Sequence, residues 1–149
     1  MNGQNREAIS EDVWNCYFAC VNAVRNVDRQ GVDSAIEEHA AGSVLSYEQI
    51  FSQLYVVAIL FATMRVQGNT SNDRDAEILA KTLLPQVLRI CPIDGGLLEE
   101  LIKGMRGDNI GALPKSGEAF YVALQVQASL GDPLGEERDK HDYGHLIRY

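Results

Sequence analysis

The sequence predicts an all-α fold, a single-domain bundle of about six helices over residues 1–149, with the third helix, about 47–67, at its centre. Three observations carry this prediction. Apolar residues recur at three- and four-residue spacing through most of the chain, which is the repeat of one helix face. No stretch of five or more residues alternates cleanly between apolar and polar with turn signals on both sides, as a half-buried strand does. A length of 149 residues with 46% hydrophobic and 23% charged side chains fits one domain with one core and excludes disordered and fibrous classes.

Ser10 is placed to cap a first helix over about 11–28, which puts Glu11 and Asp12 at the positive end of its dipole. Val13, Tyr17, Cys20, Val24 and Val27 draw its inner stripe, widened by Trp14 and Val21. A second helix follows Gly31, with Val32, Ala35, Ile36, His39 and Ala40 on one face and Gly42 as its stop. Ser46 and Gln49 form a capping box that opens the third helix, and Gly68 is its expected end. Over residues 54–62 that helix is apolar on every side, so neighbouring helices or a second subunit must cover it.

Residues 68–75 read as a loop. Ala76, Leu79, Ala80, Leu83, Val87 and Ile90 then mark a fourth helix, ending at Cys91 because Pro92 disfavours helical geometry in the residue before it. Pro85 is expected to kink that helix or split it near Leu84. Asp94 caps a short fifth helix with Leu97, Leu98, Leu101, Ile102 and Met105 inward. Ser116 opens a sixth through Phe120, Ala123, Leu124, Gln127 and Leu130, closed by Gly131 ahead of Pro133. Residues 134–149 are charged and weakly periodic, so they form either a short docked helix or a mobile tail.

Charge narrows the function classes. Thirteen basic against 21 acidic side chains give a formal charge of −8, which repels nucleic-acid phosphates and anionic lipid and points to a basic protein partner. The excess is strongest over residues 1–48, where Glu7, Glu11, Asp12, Asp28, Asp33, Glu37, Glu38 and Glu48 face only Arg6, Arg25 and Arg29. A basic partner is expected on that half. The first ten residues lack the apolar core of a secretory signal, and the longest wholly apolar run, 54–62, falls short of the ~20 residues of a membrane span. The expected setting is cytoplasmic, with no membrane partner. Cys16, Cys20 and Cys91 read as reduced, buried thiols.

Few residues group into a chemical motif. Glu137, His141 and His145, four apart, would share one helix face and offer an oxygen and two nitrogens to a metal; Gly144 weakens that helix, and a solvated face is the simpler reading. No cofactor is indicated. Cys16 and Cys20 also share a face, but not at the spacing of redox or zinc motifs, and a catalytic thiol would need His39 as its base. The glycine-rich segment 104–117 fails as a phosphate loop, since Pro114 stands where glycine is needed and no strand precedes it. The Arg106-Gly107-Asp108 tripeptide and the Asn69-Thr70-Ser71 sequon are short patterns that need an extracellular setting. The carboxylate pairs Glu37/Glu38, Glu99/Glu100 and Glu136/Glu137 are helix neighbours pointing in different directions, which is not an acid/base geometry.

Of the 11 aromatic residues, Trp14, Tyr17, Phe18, Tyr47, Phe51, Tyr55 and Phe61 fall on helices 1 and 3, so these two helices are expected to meet. Trp14, Phe18 and Tyr55 sit at the edges of their stripes. With Glu37 and Glu38 they are the expected partner-binding residues of a non-enzymatic interaction module of the inhibitor, immunity, adaptor or effector kind. Two alternatives stand beside it: a self-associating homodimer binding a small apolar ligand, and a metal-dependent enzyme built on Glu137, His141 and His145.

Overall fold

The apolar stripes resolve into six helices in the computed structural model, which describes residues 11–107 and 117–131. In chain order these are α1 (Glu11–Arg25), α2 (Arg29–Ala41), α3 (Tyr47–Asn69), α4 (Asp73–Leu88), α5 (Gly95–Arg106) and α6 (Gly117–Leu130). No strand occurs among the described residues. The all-α bundle is the observed architecture.

The centre is a pair of helices. α3 packs against α1, α2, α5 and α6, while α6 packs against α1, α3 and α4. Every residue of α6 from Ala119 to Gln127 is buried, so this helix has no solvent face over that span. α3 is less completely covered: Ile50, Leu54, Val57, Ala58, Phe61 and Ala62 are buried, but Val56, Leu60 and Met64 form a half-buried strip that continues from exposed Ser52. The all-round apolar pattern over 54–62 thus overstates the cover of α3. α3 also has the length and hydropathy of a membrane span, its most apolar 18-residue window being 56% buried within the bundle. The hairpins α1/α2 and α4/α5 flank the central pair.

Helix ends follow side-chain capping where it was legible. Ser46 accepts from the Gln49 amide at 3.2 Å while the Gln49 side chain accepts from the Ser46 amide at 2.8 Å, closing the capping box. Asp94 accepts from the Gly96 amide at 2.7 Å and opens α5. Asn72 caps α4 by accepting from the Asp75 amide at 2.9 Å, so α4 begins at Asp73, inside the expected loop 68–75. Three further places differ from expectation. α3 runs past Gly68 to Asn69, because Thr70 is extended and its hydroxyl donates back to the Val66 carbonyl at 2.7 Å. α4 passes through Pro85 as one helix, since Pro85 is exposed and a carbonyl freed on that side is open to water. It then ends at Leu88, short of Cys91, as a turn in which the Ile90 and Cys91 amides both donate to the Val87 carbonyl, at 2.9 and 2.8 Å.

The third difference is the corner between α1 and α2. α1 stops at Arg25, and Asp28, not Gly31, begins α2, accepting from the Gly31 amide at 2.9 Å. Gly31 fits because a Cβ there would stand 3.1 Å from the Ala23 Cβ and collide with the Asp28 carboxyl. The corner itself is strained: Val27 has φ +55°, the left-handed region that β-branched side chains avoid at a cost of about 1–2 kcal/mol. The Asp28 amide donates to Ala23 O at 2.8 Å and holds that turn. Val27 is exposed, so its replacement sacrifices little packing. Val27→Gly is expected to raise stability by about 1 kcal/mol in chemical denaturation; an unchanged or lower midpoint would show that the corner is not strained.

Candidate functional site

The aromatic residues of α1 and α3 do meet, but inside the protein. The Trp14 ring stacks on Phe61 with centroids 5.3 Å apart, and the Tyr17 ring meets Phe61 edge-on at 5.6 Å. Phe18 packs beside Trp14 at 5.6 Å and is half-buried. Trp14 is only 6% exposed and Tyr55 only 7%, so neither offers more than an edge to a partner. Expecting stripe-edge residues to be exposed misplaces both, because α3 covers the edge of α1 that carries Trp14.

An aromatic row on α3, with buried Tyr55 at its inner end, opens to the surface at Tyr47. Tyr47, Phe51 and Tyr55, four residues apart on α3, line a groove of about 450 Å³ with Glu48, Ser52 and Val56 in the adjoining row. The four-residue step makes this row, since residues i and i+4 stack along a helix face. Phe51 is anchored from behind by Phe120 of α6, with ring centroids 4.9 Å apart. Tyr47 stands at the mouth, and Glu48 beside it is exposed and makes no ion pair among the described residues.

Two carboxylates of α2 bear on the same mouth. Burial, followed by the negative charges of Asp33 and Glu37, pushes the Tyr47 phenol above its ordinary range. Asp33 also accepts a 3.4 Å hydrogen bond from the Tyr121 hydroxyl, and the Tyr121 ring carries the Arg29 guanidinium at 4.8 Å from its centroid. Arg29 is further held by its 3.3 Å donation to the Ile90 carbonyl. Glu48 thus lines an aromatic groove whose Tyr47 also feels the charges of Asp33 and Glu37, and none of the three carboxylates makes an ion pair among the described residues.

Compared with protein-family models, curated proteins and solved structures, the chain matches none.

The remaining candidates are placed elsewhere. Glu38 and His39 border shallow depressions between α1 and α2 with Asp12, and Cys16 lines one of them. Cys16 and His39 therefore approach one cavity, yet the Cys16 thiol donates to the Ala35 carbonyl at 3.6 Å and makes no hydrogen bond to the imidazole. A hydrogen bond from Cys20 lowers the Cys16 thiol, while the same contact and then burial push Cys20 up; burial also raises Cys91. No group of three or more His, Cys, Asp or Glu poised to hold a metal occurs among the described residues. Glu137, His141 and His145 lie outside those residues. Asp33, Tyr47, Glu48 and Phe51 were missed as site residues because their spacing reads equally well as core stripe; the signal was the carboxylate directly beside the aromatic row.

One buried polar group has a measurable consequence. The Tyr17 side chain is fully buried on α1, its hydroxyl finds no hydrogen-bond partner among the described residues, and burial holds its phenol well above the ordinary range against the opposing charge of Arg65. The unfolded chain therefore loses its phenol proton first as pH rises past about 10, so the stability is intact below that pH and falls above it. Tyr17→Phe is expected to match or exceed the parent by up to about 1 kcal/mol at pH 7 and to lose less between pH 9 and 11. Urea denaturation at a series of pH values checks this; parallel pH curves for the two proteins would refute it.

Proposed function

We propose that this protein is a non-enzymatic binding module that receives a basic protein partner on the α3 groove, beneath the carboxylates of Asp33, Glu37 and Glu48. The observation that supports this reading most directly is an aromatic groove of about 450 Å³ whose nearby carboxylates have no cation of their own among the described residues. A lysine or arginine side chain satisfies both halves of such a surface: its alkyl stem covers the Phe51 and Tyr55 edges while its charged head meets a ring face and a carboxylate. Arg29 over Tyr121 shows the same pairing within the chain. Each exposed charge pair contributes about 0–1 kcal/mol, so the apolar contact sets affinity and the net charge of −8 sets approach rate and partner choice. In this reading Tyr55 lines the groove and Glu37 acts on it through its charge at Tyr47, while Glu38 borders other depressions.

A defined probe tests the reading. A lysine-rich amphipathic helical peptide is expected to bind with a Kd that weakens about tenfold or more between 50 and 500 mM salt, measured by fluorescence anisotropy. Tyr47→Ala with Glu48→Gln should abolish binding, and Glu38→Gln should leave it unchanged. Equal affinity for an acidic peptide of the same length, or binding indifferent to the double variant, would refute the proposal.

The half-buried strip of Val56, Leu60 and Met64 favours a second reading, in which two copies pair along α3. Sedimentation equilibrium is then expected to give a concentration-dependent dimer that Leu60→Glu returns to monomer. A parent protein that stays monomeric at about 100 μM would refute this reading.

A further inference from the structure

The carboxyl-terminal ends of α1, α4 and α6 converge on a second cavity, of about 310 Å³, whose chemistry is the reverse of the α3 groove. Arg25 closes α1, Arg89 caps α4, and Gln86, Gln125 and Ser129 complete the polar lining. Arg25 and Arg89 are the ionisable groups lining it among the described residues, in a protein whose net charge is −8.

Three other cations of the bundle are already engaged, while exposed Arg74 and Lys81 are not. Lys103 pairs with Glu77 at 2.9 Å and Glu99 at 3.1 Å, Arg106 pairs with Asp73 at 2.8 Å, and Arg29 sits over Tyr121. The Arg25 and Arg89 side chains make no hydrogen bond or ion pair among the described residues.

A plain structural role would be to offset the negative ends of three helix dipoles. Backbone donors already meet part of the carbonyls at those ends. At the end of α1 the Val27 amide donates to Val24 O at 3.0 Å and the Asp28 amide to Ala23 O at 2.8 Å. The Arg89 and Ile90 amides do the same at α4, at 3.2 and 2.9 Å, and Gly131 does so at α6, at 2.9 Å. Arg25 and Arg89 are both exposed, and their guanidinium donors face solvent at the cavity.

The polar lining is ordered as a relay. Gln125, only 8% exposed, donates through Nε2 to Ser129 Oγ at 2.8 Å, and the Ser129 hydroxyl donates to Gln86 Oε1 at 3.2 Å. This arrangement uses up the acceptor of Gln86 and leaves its amide N–H groups without an acceptor among the described residues. Strained Val27 lines the same cavity, and a backbone outlier of that kind persists where the surrounding structure, or a ligand, holds it.

Two guanidinium forks and an amide donor, with no carboxylate in the lining among the described residues, select a compact oxyanion, and two positive charges match a dianion better than a carboxylate. We propose that this cavity binds inorganic phosphate or a small phosphomonoester between Arg25 and Arg89, independently of the α3 groove.

The test titrates the full chain with inorganic phosphate at pH 7.5 against sodium chloride of matched ionic strength, following thermal unfolding and amide chemical shifts. Phosphate also stabilises proteins generally by exclusion from their surface, so the informative quantity is the difference between variants. The parent is expected to gain about 3 °C more than Arg25→Gln/Arg89→Gln at saturating phosphate. Arg74→Gln, which removes an exposed arginine of α4 outside the cavity, should gain as much as the parent. Shifts should concentrate at Gln86, Gln125 and Ser129, with acetate binding about tenfold more weakly or worse. A gain that persists in the double variant, acetate binding as tight as phosphate, or shifts spread evenly over the surface would overturn the proposal. Should the double variant fail to fold by circular dichroism, the parent's chemical shifts and the acetate comparison decide it alone.

Discussion

From Ala119 to Gln127, α6 bonds its backbone internally but has no side on which a side chain meets solvent, so its burial has to come from other elements. α1, α3 and α4 supply that cover, and α2 and α5 are held in turn through α1, α3 and α4. The ring contact of Phe51 with Phe120 belongs to this arrangement, because it fixes the face on which the rest of the α3 aromatic row emerges. The position of the groove is thus a by-product of covering α6.

Helix number and type were legible because the apolar repeat, the Ser46/Gln49 capping box and the Asp94 cap are local signals that tertiary packing does not contradict. The α1/α2 corner was not, because a valine at positive φ has no sequence signature and Asp28 resembles any other acidic residue near a helix end. The passage of α4 through Pro85 escaped for a related reason: whether proline breaks a helix depends on the surroundings of the freed carbonyl, which the linear chain does not reveal. Trp14 and Tyr55 show the same limit for the site. A stripe gives the angle of a residue on its own helix and says nothing about which neighbour lies over that angle.

Two surfaces of opposite chemistry result. One is aromatic with an acidic residue, lined by α3 alone and felt by the charges of Asp33 and Glu37 on α2; the other is cationic and amide-lined, assembled from three helix ends. The first rests on a four-residue repeat within one helix and is half visible in sequence. The second joins Arg25, Arg89 and Ser129, far apart in the chain, and exists only after folding. A surface of the first kind persists through slow change in helix packing, whereas one of the second kind depends on the register of α1, α4 and α6 together.

The order of the helices along the chain has a consequence for biosynthesis. α3 leaves the ribosome well before α6, and during that interval Phe51 and the apolar positions that α6 will occupy have no partner. A 23-residue helix with the length and hydropathy of a membrane span is, at that moment, an attractive client for chaperones or for the insertion machinery. Docking of α6 covers those positions and completes the bundle.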